Sequence, residues 1–239
     1  MRHVALIPAR GGSSSIKNKN LQSIGGSSLV KIAWEQSIAS GIFDNIILST
    51  DSEEILNEIS NKLNFNSLED NSYTFFSNSE VFHKRSGSDS QNNSLVSLLT
   101  FKTAKNFDMD FLWIIQPTSP FRLIEEFHEL KLKAESGNNW SSIVSVKNAE
   151  TIHPLKMFYL EDYLMPVIKS DLDDTEPRQK MPKVYIKDGA FYILKSTNLK
   201  DDIFLGNQIL PFIREPKMNI NIDLQEDLEI ARFLSTFNQ

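Results

Sequence analysis

No cysteine occurs among the 239 residues, which excludes disulfide staples, zinc–thiolate sites and thiol nucleophiles together. No apolar run approaches the length of a membrane span, and the opening residues enter a strand-like segment directly rather than a signal peptide. The expectation is a soluble cytoplasmic protein with no membrane partner. Positive charge is also in short supply: 25 Lys and Arg stand against 31 Asp and Glu, for a formal net charge of −6. That excludes a broad nucleic-acid footprint, so an anionic ligand has to be met by a local basic cluster inside an acidic surface. Internal repeats and low-complexity tracts are absent too. What remains, 40% hydrophobic and 23% charged residues, is the composition of a globular chain long enough for one sizeable α/β domain with a small appendage.

The hydrophobic pattern gives that domain its order. Val4 to Ile7 reads as a buried strand ending at Pro8. Ser27 to Gly41 reads as a helix with Leu29, Val30, Ala33, Trp34 and Ile38 on one stripe and Gly41 at its stop. Asn45 to Thr50 is a second strand, and Asp51 begins a helix running to about Leu63. This βαβα order predicts a mainly parallel, Rossmann-like sheet flanked by helices. Residues 64 to 93 are polar and irregular apart from a short strand at Tyr73 to Phe76, and Ser94 starts a helix. Asp110 to Ile115 is the best buried strand, Leu123 to Glu135 a helix, Ser142 to Val146 a strand. Residues 147–183 lose helical period and read as an inserted, hairpin-rich subdomain for self-association, or else as a lid; the α/β domain is then 1–146 with 184–239. Tyr185 to Leu194 returns to strand character. Met218 to Asp223 alternates, which predicts a strand with Asn219, Asn221 and Asp223 on one face, before a last helix from about Leu224 to Phe237.

Three stretches carry chemistry. The loop after the first strand holds Ala9, Arg10, Gly11, Gly12, Ser13, Lys17, Lys19 and Asn20. Glycines admit close backbone approach, hydroxyls and amides form an anion nest, and converging cations call for a counter-charge, which a triphosphate supplies. It is neither a P-loop nor a dinucleotide fingerprint, and a solvated polar loop has the same composition. Gln116-Pro-Thr118-Ser119-Pro-Phe-Arg122 puts amide, hydroxyl and guanidinium groups beyond a central strand on a loop stiffened by two prolines; it suits a polar ligand or a rigid connector. Asp223 ends the final alternating stretch, either as an oxygen ligand for Mg²⁺ or as the N-cap of the last helix. His3 and His128 are assigned no chemistry.

Ile7-Pro-Ala-Arg-Gly-Gly-Ser13 with Lys19-Asn20, Ser49-Thr-Asp51, Gln116 to Arg122, His153-Pro, Pro177-Arg-Gln179, Asp188-Gly-Ala-Phe-Tyr192 and Ile222-Asp223 follow in one order. Together they resemble the CMP-sialic acid synthetases (acylneuraminate cytidylyltransferases), including relatives that activate legionaminic or pseudaminic acid, over about residues 3 to 235. The resemblance implies a sheet of the nucleotide-diphospho-sugar transferase type with an inserted dimerisation subdomain. It also implies a homodimer that uses CTP and Mg²⁺ to transfer CMP to the anomeric hydroxyl of a nonulosonic acid, releasing pyrophosphate. Arg10 and Lys19 would hold the triphosphate, and Asn20, Arg85, Ser94 and the Ser13 loop the nucleotide. Gln116, Thr118, Ser119, Tyr192 and Phe204 would line the sugar pocket, Lys156 and Arg178 would reach across a dimer, and Asp223 with Asn221 would face the metal. Departures stand beside these matches: Ser14 and Asn221 occupy positions where the family has Lys and Asp, and Ile186 and Asp188 replace an Arg and an Asn. They motivate the alternatives of a CMP-Kdo synthetase-like enzyme or a nucleotide-binding paralogue without catalysis.

Overall fold

The computed structural model describes residues 1–60, 69, 72–75, 77–86, 96–137, 139–149, 152–169, 177–200, 203–214 and 219–237. Strand β1 (His3–Pro8) and its glycine-bearing loop lead to a two-residue hairpin, β2 (Ser23–Ile24) and β3 (Ser27–Ser28). Helix α1 (Leu29–Ser40) starts where the Ser28 hydroxyl accepts from Lys31 N–H and stops at Gly41, whose φ of 63° suits glycine. Then come β4 (Asn45–Thr50), α2 (Glu53–Ile59), β5 (Tyr73–Phe75), β6 (Glu80–Lys84), α3 (Val96–Asn106), β7 (Phe111–Ile114), α4 (Ile124–Glu135) and β8 (Ser142–Asn148). The hairpin β9 (Phe158–Leu160) and β10 (Leu164–Pro166) precedes β11 (Tyr185–Lys195), α5 (Ser196–Lys200), β12 (Ile209–Ile213) and α6 (Gln225–Ser235).

Eight strands form one sheet in the order β12-β8-β11-β7-β1-β4-β6-β5. The β1, β4, β6 and β7 pairings are parallel, as is β8 with β12; β11 runs antiparallel to β7 and β8, and β5 to β6. The chain leaves β1 toward β4 and β6, then returns to the other side of β1 as β7. Between β1 and β7 the strand order therefore reverses, and in open α/β sheets that switch point is where a ligand crevice opens.

Both faces of the sheet are covered, which is why β1 reads as an unbroken apolar run. Ala5, Ile7, Leu48, Trp113, Phe127 and Phe191 pack on one side, Val4, Leu6, Ile47, Leu112 and Ile114 on the other. On the first side Phe127 meets Phe191 edge-on at 4.9 Å between ring centroids. The third core cluster, Ile16, Ile24, Leu29, Ile222, Leu228 and Ala231, fastens the first loop and the residues before α6 to the ends of α1 and α6.

The structure departs from the sequence reading in four places. Residues 80–84, read as irregular, are strand β6; His83 is buried there, stacked 4.2 Å from Tyr73 and bonded to Ser49 Oγ. Strand β12 went unread because Pro211 interrupts it, and it is an edge strand, the one place where a missing N–H is tolerated. Residues 219–223 form no strand, although the predicted alternation survives in part, with Ile222 buried and Asp223 exposed. Finally, Asp227 rather than Asp223 caps α6, its carboxylate accepting from both Asp223 N–H and Leu224 N–H. Ser94 lies outside the described residues.

Candidate active site

A cavity of about 500 Å³ opens at the switch point, lined by Arg10, Gly12, Ser13, Ser14, Ser15, Lys19, Asn20, Arg85, Val96, Gln116, Thr118, Asn221 and Asp223, with Pro8 and Pro117. Its walls are the loops that leave β1, β6 and β7 at their C-terminal ends, together with the stretch before α6.

The β1 loop is held from three sides. Gly11 N–H donates to Asp51 Oδ1 at 2.7 Å, Asn20 Nδ2 donates to the Arg10 carbonyl at 2.8 Å, and Ile16 is buried in the third cluster. The two glycines do different work. A side chain on Gly11 would put Cβ 2.8 Å from Ser52 Cβ, so this glycine lets the loop lie against the start of α2. Gly12 faces open space on the cavity, where a backbone can meet a ligand. Lys19 Nζ reaches across to the Ile222 carbonyl at 3.0 Å and Asp223 Oδ1 at 3.1 Å, so a cation and a carboxylate from opposite ends of the chain share one wall. Lys17 points to solvent, and its carbonyl accepts from Gln22 Nε2.

On the facing wall, Gln116 and Thr118 reach the cavity, while Ser119 lies buried beneath it. The Ser119 hydroxyl is shared between the Asp188 carbonyl at 3.1 Å and Asn221 Oδ1 at 3.3 Å. Asn221 Nδ2 in turn donates to Asp223 Oδ2 at 2.7 Å. The guanidinium of Arg122, expected beside a ligand, turns inward. It donates to the carbonyls of Gln116 and Ala190 and to Gln36 Oε1, which braces the β7 loop against β11 and α1. Burial, then the nearby charge of Arg214, lowers its pKa to about 9. Gly189 has a φ of 77°, and a Cβ there would come within 3.0 Å of Asn221 Oδ1 and Ser119 Oγ and 3.1 Å of Gln116 Oε1, so the floor needs glycine on two counts.

Other residues singled out from the sequence lie away from the lining. Tyr192 and Phe204 pack against the second core cluster; burial, and then Asp188, pushes the Tyr192 pKa up. Lys156 is exposed on the short turn Pro154–Lys156, whose first amides are met by His153, and Arg178 opens the turn Arg178–Lys180. Arg214 was given no role from sequence, and the parts that Asp51 and Asp188 play in holding the site were not read from it. Asp188 and Arg214 pair at 3.1 Å although neither is close to the other in the chain, so no local spacing signals them.

For Mg²⁺, among the described residues no three His, Cys, Asp or Glu side chains gather to hold a metal. Magnesium nevertheless needs only one or two protein carboxylates when substrate phosphates complete its shell. Asp223, 64% exposed on the cavity wall, fits that demand. Asn221 offers Asp223 its N–H, not its oxygen.

The family model described as Cytidylyltransferase matches residues 4–74, which include the β1 loop and α2. The chain is 25% identical over 243 residues to pseudaminic acid cytidylyltransferase of Campylobacter jejuni, covering 100% of this chain and 98% of that one. It is 26% identical over 230 residues to N-acylneuraminate cytidylyltransferase of Streptococcus agalactiae, covering 95% of this chain and 52% of the relative. Among solved structures, CMP:2-keto-3-deoxy-manno-octonic acid synthetase in complex with CTP superposes with a TM-score of 0.70 at 13% identity, covering 100% of both chains, a likeness of fold. The nucleotide-diphospho-sugar transferase type of sheet and the resemblance to cytidylyltransferases expected from the motifs are both borne out.

Proposed function

We propose that this chain, a nucleotidyltransferase related to the cytidylyltransferases, transfers CMP from CTP to the anomeric hydroxyl of a sialic-acid-like nonulosonic acid. The observation that carries the reading is one cavity at the switch point, with the basic β1 loop on one wall and Gln116, Thr118 and Asp223 on the others. In the reaction the sugar hydroxyl oxygen bonds to the α-phosphorus and loses its proton to solvent, the bond from that phosphorus to the bridging oxygen breaks, and pyrophosphate leaves with the electron pair. Such transfer needs positioning and charge neutralisation, not a covalent nucleophile.

Arg10 and Lys19 are the groups that bind the phosphates, aided by the Gly12 to Ser15 backbone and hydroxyls. A Mg²⁺ bound by Asp223 and phosphate oxygens would supply the charge that offsets the leaving pyrophosphate. Lys19 gives up Asp223 for phosphate when substrate enters, which leaves the carboxylate available. Arg85, Asn20 and Val96 suit the nucleoside, and Gln116 and Thr118 the sugar acid. The β9–β10 hairpin supports a homodimer: Tyr159, Leu160, Tyr163 and Leu164 are all more than half exposed on it, a surface that a second copy would cover. No helix among the described residues is long and apolar enough to cross a membrane, and we read the place of action as the cytoplasm, where CTP is at hand.

Pyrophosphate release from CTP and Mg²⁺ with N-acetylneuraminic, legionaminic, pseudaminic or Kdo acid tests the proposal. Release with one nonulosonic acid is expected. Release with Kdo alone would move the assignment to that sugar, and CTP-dependent stabilisation without any release would point to a sugar outside this panel or to the nucleotide-binding paralogue that Ser14 and Asn221 motivate.

A further inference from the structure

Asn221 and Asp223 stand on a stretch that has no sheet to hold it: among the described residues, 219–223 makes one long-range backbone–backbone hydrogen bond, Ile222 N–H to the Thr118 carbonyl at 2.8 Å, and is otherwise held by side chains. What precedes it is fastened differently. The Arg214 guanidinium is buried beneath the cavity floor and joins three elements. Its Nε and Nη2 meet Glu126 of α4 at 2.7 and 3.1 Å, and its Nη1 meets Asp188 of β11 at 3.1 Å. Its Nη2 also donates to the Phe121 carbonyl at 2.6 Å, on the β7 loop. Asp188 is 1% exposed and saturated, Oδ1 accepting from Ser145 Oγ and Ala190 N–H, Oδ2 from Arg214 and from Asn219 Nδ2 at 2.8 Å. Asn219 is therefore read on every polar atom of its outward groups: Nδ2 by Asp188, Oδ1 by Arg214 at 3.5 Å, and the backbone carbonyl by Lys147 Nζ at 3.1 Å.

We infer that Arg214, Asp188 and Asn219 form a buried clamp that positions Asn221 and Asp223 on the cavity wall. An ion pair this deep is poor evidence of stability, since desolvation offsets most of its attraction. Fixing a short segment outside the sheet is a task that geometry of this kind performs well, because a bidentate guanidinium and a carboxylate accepting from four donors leave Asn219 one orientation. The clamp is joined to the Asn221 end through Ser119, whose hydroxyl touches both the Asp188 carbonyl and Asn221. These residues touch no substrate; they are positioning residues, and their catalytic consequence rests on the function proposed above.

The test compares wild type with Asn219→Ala and, as a milder variant that removes only the Lys147 bond, Lys147→Met. Amide hydrogen exchange over residues 219–226 reads the clamp without any activity. Exchange at Ile222 is expected to rise about tenfold or more in Asn219→Ala, with a smaller rise in Lys147→Met. In the steady state kcat is expected to fall about 10- to 100-fold with little change in KM for CTP and in melting temperature, because a misplaced group affects the transition state most. Unchanged exchange over 219–226 in both folded variants would overturn the clamp, and faster exchange with wild-type kcat would overturn its positioning role. A wild-type protein that releases no pyrophosphate with any acid defeats the functional reading instead, and the exchange measurement still decides the clamp.

Discussion

At the scale of single residues, Arg10 and Asn221 carry the sharpest expectations. Arg10 lines the cavity from a loop whose backbone is fixed by Asp51 and Asn20. Arg10→Ala removes one cation from the cavity, in the proposed function a partner of the phosphates, and leaves those loop bonds intact. We expect kcat/KM for CTP to fall about 100-fold with the far-ultraviolet spectrum unchanged; a folded variant of near-normal activity would rule this loop out as the triphosphate site. Asn221→Asp replaces an N–H donor with a carboxylate 2.7 Å from Asp223 Oδ2. Two adjacent carboxylates repel unless a cation sits with them. The variant should melt lower without Mg²⁺, regain more on adding it, and need less Mg²⁺ for half-maximal rate. A Mg²⁺ midpoint identical to wild type would place the cation elsewhere.

Elements bring a different kind of test. Asp51 and Ser52 join the start of α2 to the β1 loop: Asp51 accepts from Gly11 N–H, and Gly11 lies against Ser52. Asp51→Ala should cost about 1 kcal/mol of stability and raise KM for CTP, whereas Asp51→Asn, which keeps the accepting oxygen, should restore both; denaturant midpoints and CTP titrations check this. At the other end of β1, His3 is buried between strand and helix. The Trp113 indole N–H donates to His3 Nδ1 at 3.0 Å, so the ring proton sits on Nε2 and is donated to Glu135 at 3.0 Å. Burial holds the imidazole below its ordinary 6.5, against the pull of Glu135. The unfolded chain thus binds a proton that the native chain declines. Stability from this site is complete above pH 6.5 and declines as the pH falls below it. The denaturant midpoint of wild type should drop between about pH 7 and 5 more steeply than that of His3→Gln. Equal slopes would assign the acid sensitivity to other groups.

For the whole molecule, the expected assembly is the question that the exposed hairpin raises. Leu160 is 84% and Tyr163 81% exposed, on a separate two-stranded hairpin that lies between β8 and β11 in the chain. If wild type sediments as the proposed dimer, Leu160→Lys with Leu164→Lys should give a monomer, and should lower activity if the partner's insert completes the site. A monomeric wild type would assign the hairpin another occupant.

The sequence by itself determined the parts whose signal is local. A buried strand read as a continuous apolar run, a helix as a stripe bounded by Ser27 and Gly41, and the β1 and β7 loops as polar stretches just past such strands. Their positions at one sheet edge follow from the right-handed crossover of parallel units. Tertiary structure alone decided which polar groups serve the cavity and which serve the frame. Arg122 and Ser119 stand in the same motif as Gln116 and Thr118, yet the first two turn inward. Lys19 meets Asp223 204 positions away, and Arg214 finds Asp188 and Glu126 from two other elements. A buried charge takes whatever counter-charge the packing brings within reach, and that reach is set by the sheet order, which no spacing along the chain records.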